Sequence, residues 1–223
     1  MVLSQYIDHT LLKPTATPKD IIQLCTEAKE HNFYAVCVNS CYVSAAKKEL
    51  GNSEIKIAAV VGFPLGANSS KAKVYEAKQC IKDGADEIDM VLNIGFMKAK
   101  LFDLIQEEIT AVKEIIGDKT LKVILEICYL TDDEIRKACQ LSKNAKADFV
   151  KTSTGFGTGG ATEEAVKIMH EEVGESLKIK ASGGIRDTET AKKYIKMGVS
   201  RIGTSSGIKI VTSTKNESDE HTY

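Results

Sequence analysis

Two lysines stand where an amine can do covalent chemistry. They are Lys151 in Ala147-Asp-Phe-Val-Lys-Thr-Ser-Thr-Gly155 and Lys180 in Leu177-Lys-Ile-Lys-Ala-Ser-Gly-Gly-Ile-Arg186. Each interrupts a short, mostly apolar run and is followed at once by small, hydroxylated or glycine residues. A lysine inside a strand costs desolvation energy unless it faces a polar cavity or a partner. A neutral lysine amine attacks a carbonyl to give an imine, which is an electron sink for breaking or forming carbon–carbon bonds. The amine must shed its proton near neutral pH, against a free value of about 10.4. Burial and a neighbouring ammonium both favour that, and enzymes bring such lysines to roughly 7–8. Lys180 is placed to supply the second charge.

These lysines need strands to hold them, and the chain alternates β-like with helix-like runs from end to end. Strands are expected at Ile7–Leu12, Tyr34–Asn39, Lys56–Phe63, Glu87–Asn93, Lys122–Ile127, Asp148–Thr152, Lys178–Ser182 and Arg201–Thr204. Helices are expected at Pro18–Glu30, Ser70–Lys82, Leu101–Ile116, Asp132–Lys143, Thr162–Glu172 and Thr188–Met197, among others. Thr17-Pro18 and the capping box Thr131-Asp-Asp-Glu134 start two of them, and Gly84, Gly117, Gly174 and Gly198 follow as stops. An unbroken βα alternation of this length predicts one α/β domain, a single (β/α)8 TIM barrel over residues 1–211. A doubly wound open sheet is the alternative, but no Gly-x-Gly-x-x-Gly follows the first strand. From Thr212 to Tyr223 the sequence is too polar to bury and is expected to be a flexible tail.

Side chains alternate between the two faces of a strand. Glu87, Asp89, Val91 and Asn93 then share one face, opposite Ile88, Met90 and Leu92. Lys122, Ile124 and Glu126 share another, as do Phe149, Lys151 and Ser153, and Lys178, Lys180 and Ser182. Cys37 and Asn39, with Asp8 and Thr10, complete an inner set. Barrels ordinarily fill that space with Val, Ile and Leu. An interior with Asp8, Asn39, Asp89, Lys122, Glu126, Lys151 and Lys180 is either a structural network pairing Lys122 with Glu126 and Asp89, or a site that needs both acids and amines.

Gly-rich turns follow the last two strands: Ser182-Gly183-Gly184-Ile185-Arg186 and Gly203-Thr-Ser-Ser-Gly207. Glycines let backbone N–H groups approach an anion, and barrels often bind phosphate there. Thr152 to Gly155 can add donors. Such turns can also be plain connectors; two of them on adjacent strands, one with Arg186, favour phosphate. With an inward carboxylate such as Asp89 to relay protons, the set fits a class I aldolase acting on a phosphorylated sugar.

The net charge of −1, from 30 basic and 31 acidic residues, provides no general field for nucleic acid or an anionic membrane. Apolar stretches fall short of the ~20 residues of a membrane span. Met1 to Thr10 carries no export-type pattern, and the six cysteines lack zinc-like spacing, so the expected compartment is the cytoplasm. The cysteines read as small core residues kept reduced; the alternative, a reactive thiol, would fall on Cys37. The partners expected are small phosphorylated sugars and aldehydes, with no metal and no cofactor. A homodimer or homotetramer is the expected assembly, although helix faces alone do not apportion core from subunit contact.

Ile7-Asp-His-Thr-Leu-Leu-Lys-Pro14, Glu87-Ile-Asp-Met-Val91, Asp148-Phe-Val-Lys-Thr-Ser-Thr-Gly155 and Lys180-Ala-Ser-Gly-Gly-Ile-Arg186 closely resemble the deoxyribose-phosphate aldolases, across Asp8 to Ser206. The resemblance implies that Lys151 forms a Schiff base with acetaldehyde, that Lys180 eases its deprotonation, and that Asp89 is the acid/base. It implies cleavage of 2-deoxy-D-ribose 5-phosphate in deoxynucleoside breakdown. Gly183, Gly184, Arg186, Ser205 and Ser206 match the phosphate-contacting loops; Cys37 and Lys122 match inner positions. Asp8, Thr152, Gly155 and Gly203 join the expected substrate-binding set. Some relatives carry a lysine where this chain has Phe156, and some end in a tyrosine that assists proton transfer at the acetaldehyde methyl, as Tyr223 would here; a terminus without a role is the alternative. A metal-dependent aldolase would need more strand-end histidines than His9, a sugar isomerase would leave both lysines unexplained, and a non-catalytic binder would use them only to neutralise phosphate.

Overall fold

A computed structural model of the protein describes residues 2–219. Its strands are β1 (Ile7–Leu11), β2 (Ala35–Val38), β3 (Lys56–Val61), β4 (Glu87–Val91), β5 (Thr120–Ile124), β6 (Phe149–Lys151), β7 (Lys178–Ser182) and β8 (Arg201–Thr204). Around them lie α1 (Pro18–His31), α2 (Val43–Leu50), α3 (Ser70–Lys82), α4 (Ile94–Lys98), α5 (Phe102–Ile116), α6 (Asp132–Asn144), α7 (Glu163–Val173), α8 (Thr188–Lys196) and α9 (Gly207–Asp219). Each strand pairs in parallel with the next, and β8 returns to β1 through Ile7↔Ile202, Asp8↔Gly203 and His9↔Thr204. That ladder closes the sheet. The fold is the (β/α)8 barrel, and the open doubly wound sheet is ruled out.

Local signals explain several boundaries. The Thr17 hydroxyl accepts from the Asp20 amide while Asp20 accepts from the Thr17 amide, and Pro18 opens α1. Thr131 and Glu134 do the same for α6. Gly117 (φ 62°) ends α5 in a backbone conformation that side-chain-bearing residues seldom adopt. The short α2 and α4 lie outside the helices named from the sequence. So does the extent of α9, which runs through Thr212, the position where the polar tail was expected to begin. The Thr212 and Ser213 hydroxyls donate back to the Ile208 and Lys209 carbonyls at 2.9 Å each, so polarity here is taken up within the helix.

Most apolar side chains fill the layer between strands and helices. Ile88, Met90 and Leu92 are fully buried there, as the alternation predicts, each worth roughly 1.5–3 kcal/mol of apolar burial. In the same layer α3 and α5 are joined by a buried ion pair, Lys73–Glu108 at 2.7 Å, and Lys73 also donates to the Val91 carbonyl at the end of β4. Within the barrel a second, small apolar cluster holds Leu12, Cys37, Ala58 and Val60, with Phe63 against it. The interior is therefore divided: apolar toward β2 and β3, ionic from β4 round through β8 to β1.

Candidate active site

The ionic half is a closed cycle. Asp89 on β4 accepts from Lys122 on β5 through Oδ1 at 2.7 Å and from Lys180 on β7 through Oδ2 at 2.8 Å. Lys180 also reaches Asp8 on β1, whose other oxygen takes Arg201 on β8 at 2.8 Å. Arg201 continues to Glu87 at 3.3 Å, and Glu87 returns to Lys122 at 2.6 Å. Acid and base alternate around the loop. Lys151 on β6 hangs from it, its Nζ 2.8 Å from the same Asp89 oxygen that Lys180 uses. The ladder rows Asp89↔Lys122 and Lys151↔Lys180 set these neighbours side by side. A side chain at Gly203 would meet the Lys180 Cε at 3.0 Å, so the glycine leaves Lys180 its path across the interior.

Above Lys151, at the carboxyl ends of the strands, opens a cavity of about 310 Å3. Gly155, Gly183, Gly184, Arg186, Gly203 and Ser205 lie in its wall, as do Lys13, Thr154 and Phe156. Gly155, Gly183 and Gly184 have φ of 85°, 88° and 81°, conformations that turn backbone amides in directions other residues rarely allow. The loops after β6 and β7 touch backbone to backbone: a Cβ on Gly160 would stand 2.3 Å from the Gly183 oxygen. The N-terminus of α8 is already taken by its own cap, Asp187, which accepts from Thr190 at 2.8 Å. That of α9 begins two residues after Ser205 of the cavity wall and has no acid in its first turn. A wider cleft of about 650 Å3 at the opposite face, lined by Lys29, Tyr34 and Lys56, contains none of the cycle's ions.

The model of the DeoC/LacD family aldolases matches residues 2–212. The chain belongs to that aldolase family. A deoxyribose-phosphate aldolase of Clostridium novyi is 55% identical over 218 residues, covering 97% of this chain and 98% of that protein. One of Finegoldia magna is 56% identical over 211 residues, covering 95% and 99%. Among solved structures, a tetrameric deoxyribose phosphate aldolase of Aeropyrum pernix superposes with a TM-score of 0.86 at 32% identity, over 96% of this chain and 92% of that one.

In this member of the aldolase family, the charges of the cycle reinforce one another. Burial works to raise the Asp89 carboxyl, but Lys122, Lys151 and Lys180 outweigh it and hold the group well below the usual carboxylate range. Asp8 is likewise buried, yet Lys180 and Arg201 bring it down to about 2. Burial favours loss of the Lys180 proton, but Asp8 and Asp89 prevail and push its pKa up. Lys180 is thus a firmly held cation. Burial pushes the Cys37 thiol up, which makes it a filler of the apolar half and not a ready thiolate.

The structure brings Asp8, Asp89, Lys122, Lys151 and Lys180 together and sets Cys37 beside them. Thr152 does not line the cavity; its hydroxyl bridges the Ser182 carbonyl and amide at 3.0 Å each, tying β6 to β7. Ser206 lies just outside the cavity wall, its amide donating to Thr204 Oγ1. Two inner placements need correcting. Glu126 is not the counter-ion of Lys122: β5 ends at Ile124, the backbone turns left-handed at Glu126 (φ 54°), and its carboxylate takes the Thr154 amide at 3.1 Å and the Thr154 hydroxyl. Asn39 donates to the Leu12 carbonyl at 3.3 Å and stays apart from the ions. Arg201 and Lys13 were missed. Alternation along β8 puts Arg201 on the same face as Gly203, and that parity is its signal in the sequence. Tyr223 lies outside the described residues.

His9 faces away from the interior and bonds Glu27 of α1 at 2.7 Å. Among the described residues no group of His, Cys, Asp and Glu is arranged to hold a metal ion, and no helix is long and apolar enough to cross a membrane.

Proposed function

We propose that this chain reversibly cleaves 2-deoxy-D-ribose 5-phosphate into D-glyceraldehyde 3-phosphate and acetaldehyde through a Schiff base on Lys151, as a step in deoxyribonucleotide catabolism. One observation carries the reading: of the interior lysines 122, 151 and 180, Lys151 alone lines the cavity. The names of the relatives support the substrate, and a cavity of about 310 Å3 suits a small sugar phosphate.

The unprotonated Lys151 Nζ adds to the C1 aldehyde of the open-chain sugar, and acid-assisted loss of water gives the protonated imine. A base then takes the C3 hydroxyl proton, the C2–C3 bond breaks, and its electron pair moves into the imine to give an enamine. Asp89 is held ionised beside Lys151 and serves as proton acceptor and donor, directly or through water. Glyceraldehyde 3-phosphate leaves, C2 gains a proton, and water releases acetaldehyde. The phosphate sits against Gly183, Gly184, Arg186 and Ser205, with Gly155 leaving room for it, at the end of the cavity remote from the ions; Gly203 lies between the two ends. The two-carbon end lies by the apolar half at Cys37. Water-soluble phosphates and aldehydes are the partners, the setting is the cytoplasm, and the assembly is a homodimer or homotetramer.

Acetaldehyde and borohydride test this directly. Reduction should leave one ethyl group, on Lys151, and Lys151→Leu should abolish both the label and, by on the order of a thousandfold or more, the activity. An ethyl group on another lysine, or none, would overturn the assignment.

A further inference from the structure

We infer that Arg201 and Glu87, which reach neither Lys151 nor the cavity, are positioning residues that set the charge of Lys151 by balancing the cycle beneath it. The inference rests on Lys151 being the reacting amine. The cycle Asp89–Lys180–Asp8–Arg201–Glu87–Lys122 alternates three carboxylates with three cations. It is neutral without Lys151. An ammonium on Lys151 is therefore a fourth cation against three carboxylates. Lys151 is the surplus amine.

Every strand facing Lys151 enters this count. Asp89 and Glu87 come from β4, Lys122 from β5, Lys180 from β7, Arg201 from β8 and Asp8 from β1. β2 offers the Cys37 thiol, which burial keeps in its neutral form, and β3 only Ala58 and Val60. Glu126 is turned to Thr154, and Lys13 and Arg186 stand in the cavity wall. Arg201 is fixed within the count: its guanidinium lies 3.5 Å over the Tyr34 ring, and both its terminal nitrogens reach Glu87. An arginine does not give up its proton in proteins, so this cation of the cycle keeps its charge at any working pH. A structural role alone gives little reason for so many buried ions, since apolar replacements are often neutral or better.

Balance predicts shifts of opposite sign from adjacent residues. Removing the Arg201 charge leaves an excess carboxylate, so Lys151 keeps its proton to higher pH. Removing the Glu87 charge leaves an excess cation, so Lys151 loses its proton at lower pH. The experiment is the pH profile of activity, together with that of borohydride trapping of acetaldehyde on Lys151, in the full-length protein. Arg201→Met should move both profiles alkaline by about one pH unit, and Glu87→Gln acid by about one, the effect of a unit charge across the interior at an effective dielectric constant near 20. The double variant should return close to the unaltered profile, and Arg201→Lys should retain it. Glu87→Gln is nearly isosteric and decides the matter if Arg201→Met does not fold. With the ethyl group still on Lys151 in the unaltered protein, shifts of the same sign, or none from Glu87→Gln, would overturn the charge-balance inference and leave the Schiff-base reading intact. Absence of that ethyl group would remove both.

Discussion

Lys151 and Lys180 are register partners on β6 and β7, and their Nζ atoms converge on a single oxygen, Asp89 Oδ2, each at 2.8 Å. Two ammonium groups sharing one carboxylate oxygen repel each other. Lys180 has Asp8 as a second carboxylate and keeps its charge, whereas Lys151 has only the shared one.

Lys180→Leu takes away that repulsion. The activity optimum should move alkaline by about one to two pH units, measured as kcat/KM against pH. An unaltered profile would reject the coupling.

Arg186 lies in the cavity wall between the glycine turn and α8. Arg186→Ala should raise KM for the phosphorylated sugar by roughly tenfold or more, the value of a hydrogen bond to a charged group, and barely affect an unphosphorylated analogue. Equal losses for both would place the phosphate elsewhere.

Glu126 holds the loop that carries Gly155 and Phe156. Its buried carboxylate takes both the amide and the hydroxyl of Thr154, and the same hydroxyl accepts from the Phe156 amide at 3.0 Å. Glu126→Gln should cost about 1–3 kcal/mol of stability and raise KM severalfold while Lys151 still takes the ethyl label. Loss of labelling with the fold retained would mean that Glu126 acts on the amine itself.

The buried carboxylates also govern behaviour in acid. The pKa of Asp8 is depressed to about 2 in the folded chain, against about 3.9 unfolded. A depressed carboxylate stabilises the fold above its unfolded value, and that contribution is lost as pH falls through the folded one. Asp8 alone contributes on the order of 2 kcal/mol, and Asp89 acts in the same direction. Urea unfolding should show stability dropping between about pH 4 and pH 2, with a shallower slope for Asp8→Asn. An equal slope in that variant would remove Asp8 from the account.

Much of this site was legible because a strand has a strict two-residue period. Asp8, Asp89, Lys122, Lys151 and Lys180 fall on inner positions of five strands and do meet. The rule fails where the strand stops: Glu126 keeps the parity of Lys122 in sequence, but the left-handed turn two residues after Ile124 sends it toward Thr154. Arg201 obeys the rule but is masked in the sequence, because an arginine at the first position of a strand reads as a surface residue, and its partners Asp8 and Glu87 are more than a hundred residues away. Polar α9 offers no apolar stripe, so its extent beyond Thr212 could not be read from hydrophobic period. Which glycine turns enclose a cavity depends on packing between loops, and that is invisible along a single chain.

At Gly160 and Gly183 two stretches of main chain lie with no room for a side chain between them. The segments carrying Phe156 and Arg186 are thus pressed together at their backbones, and a side chain at either glycine would force them apart. Lys13 also stands in the cavity wall, and its long side chain can change rotamer with no movement of the main chain. Efforts to widen what this pocket accepts would do better to start there than at the glycine seam.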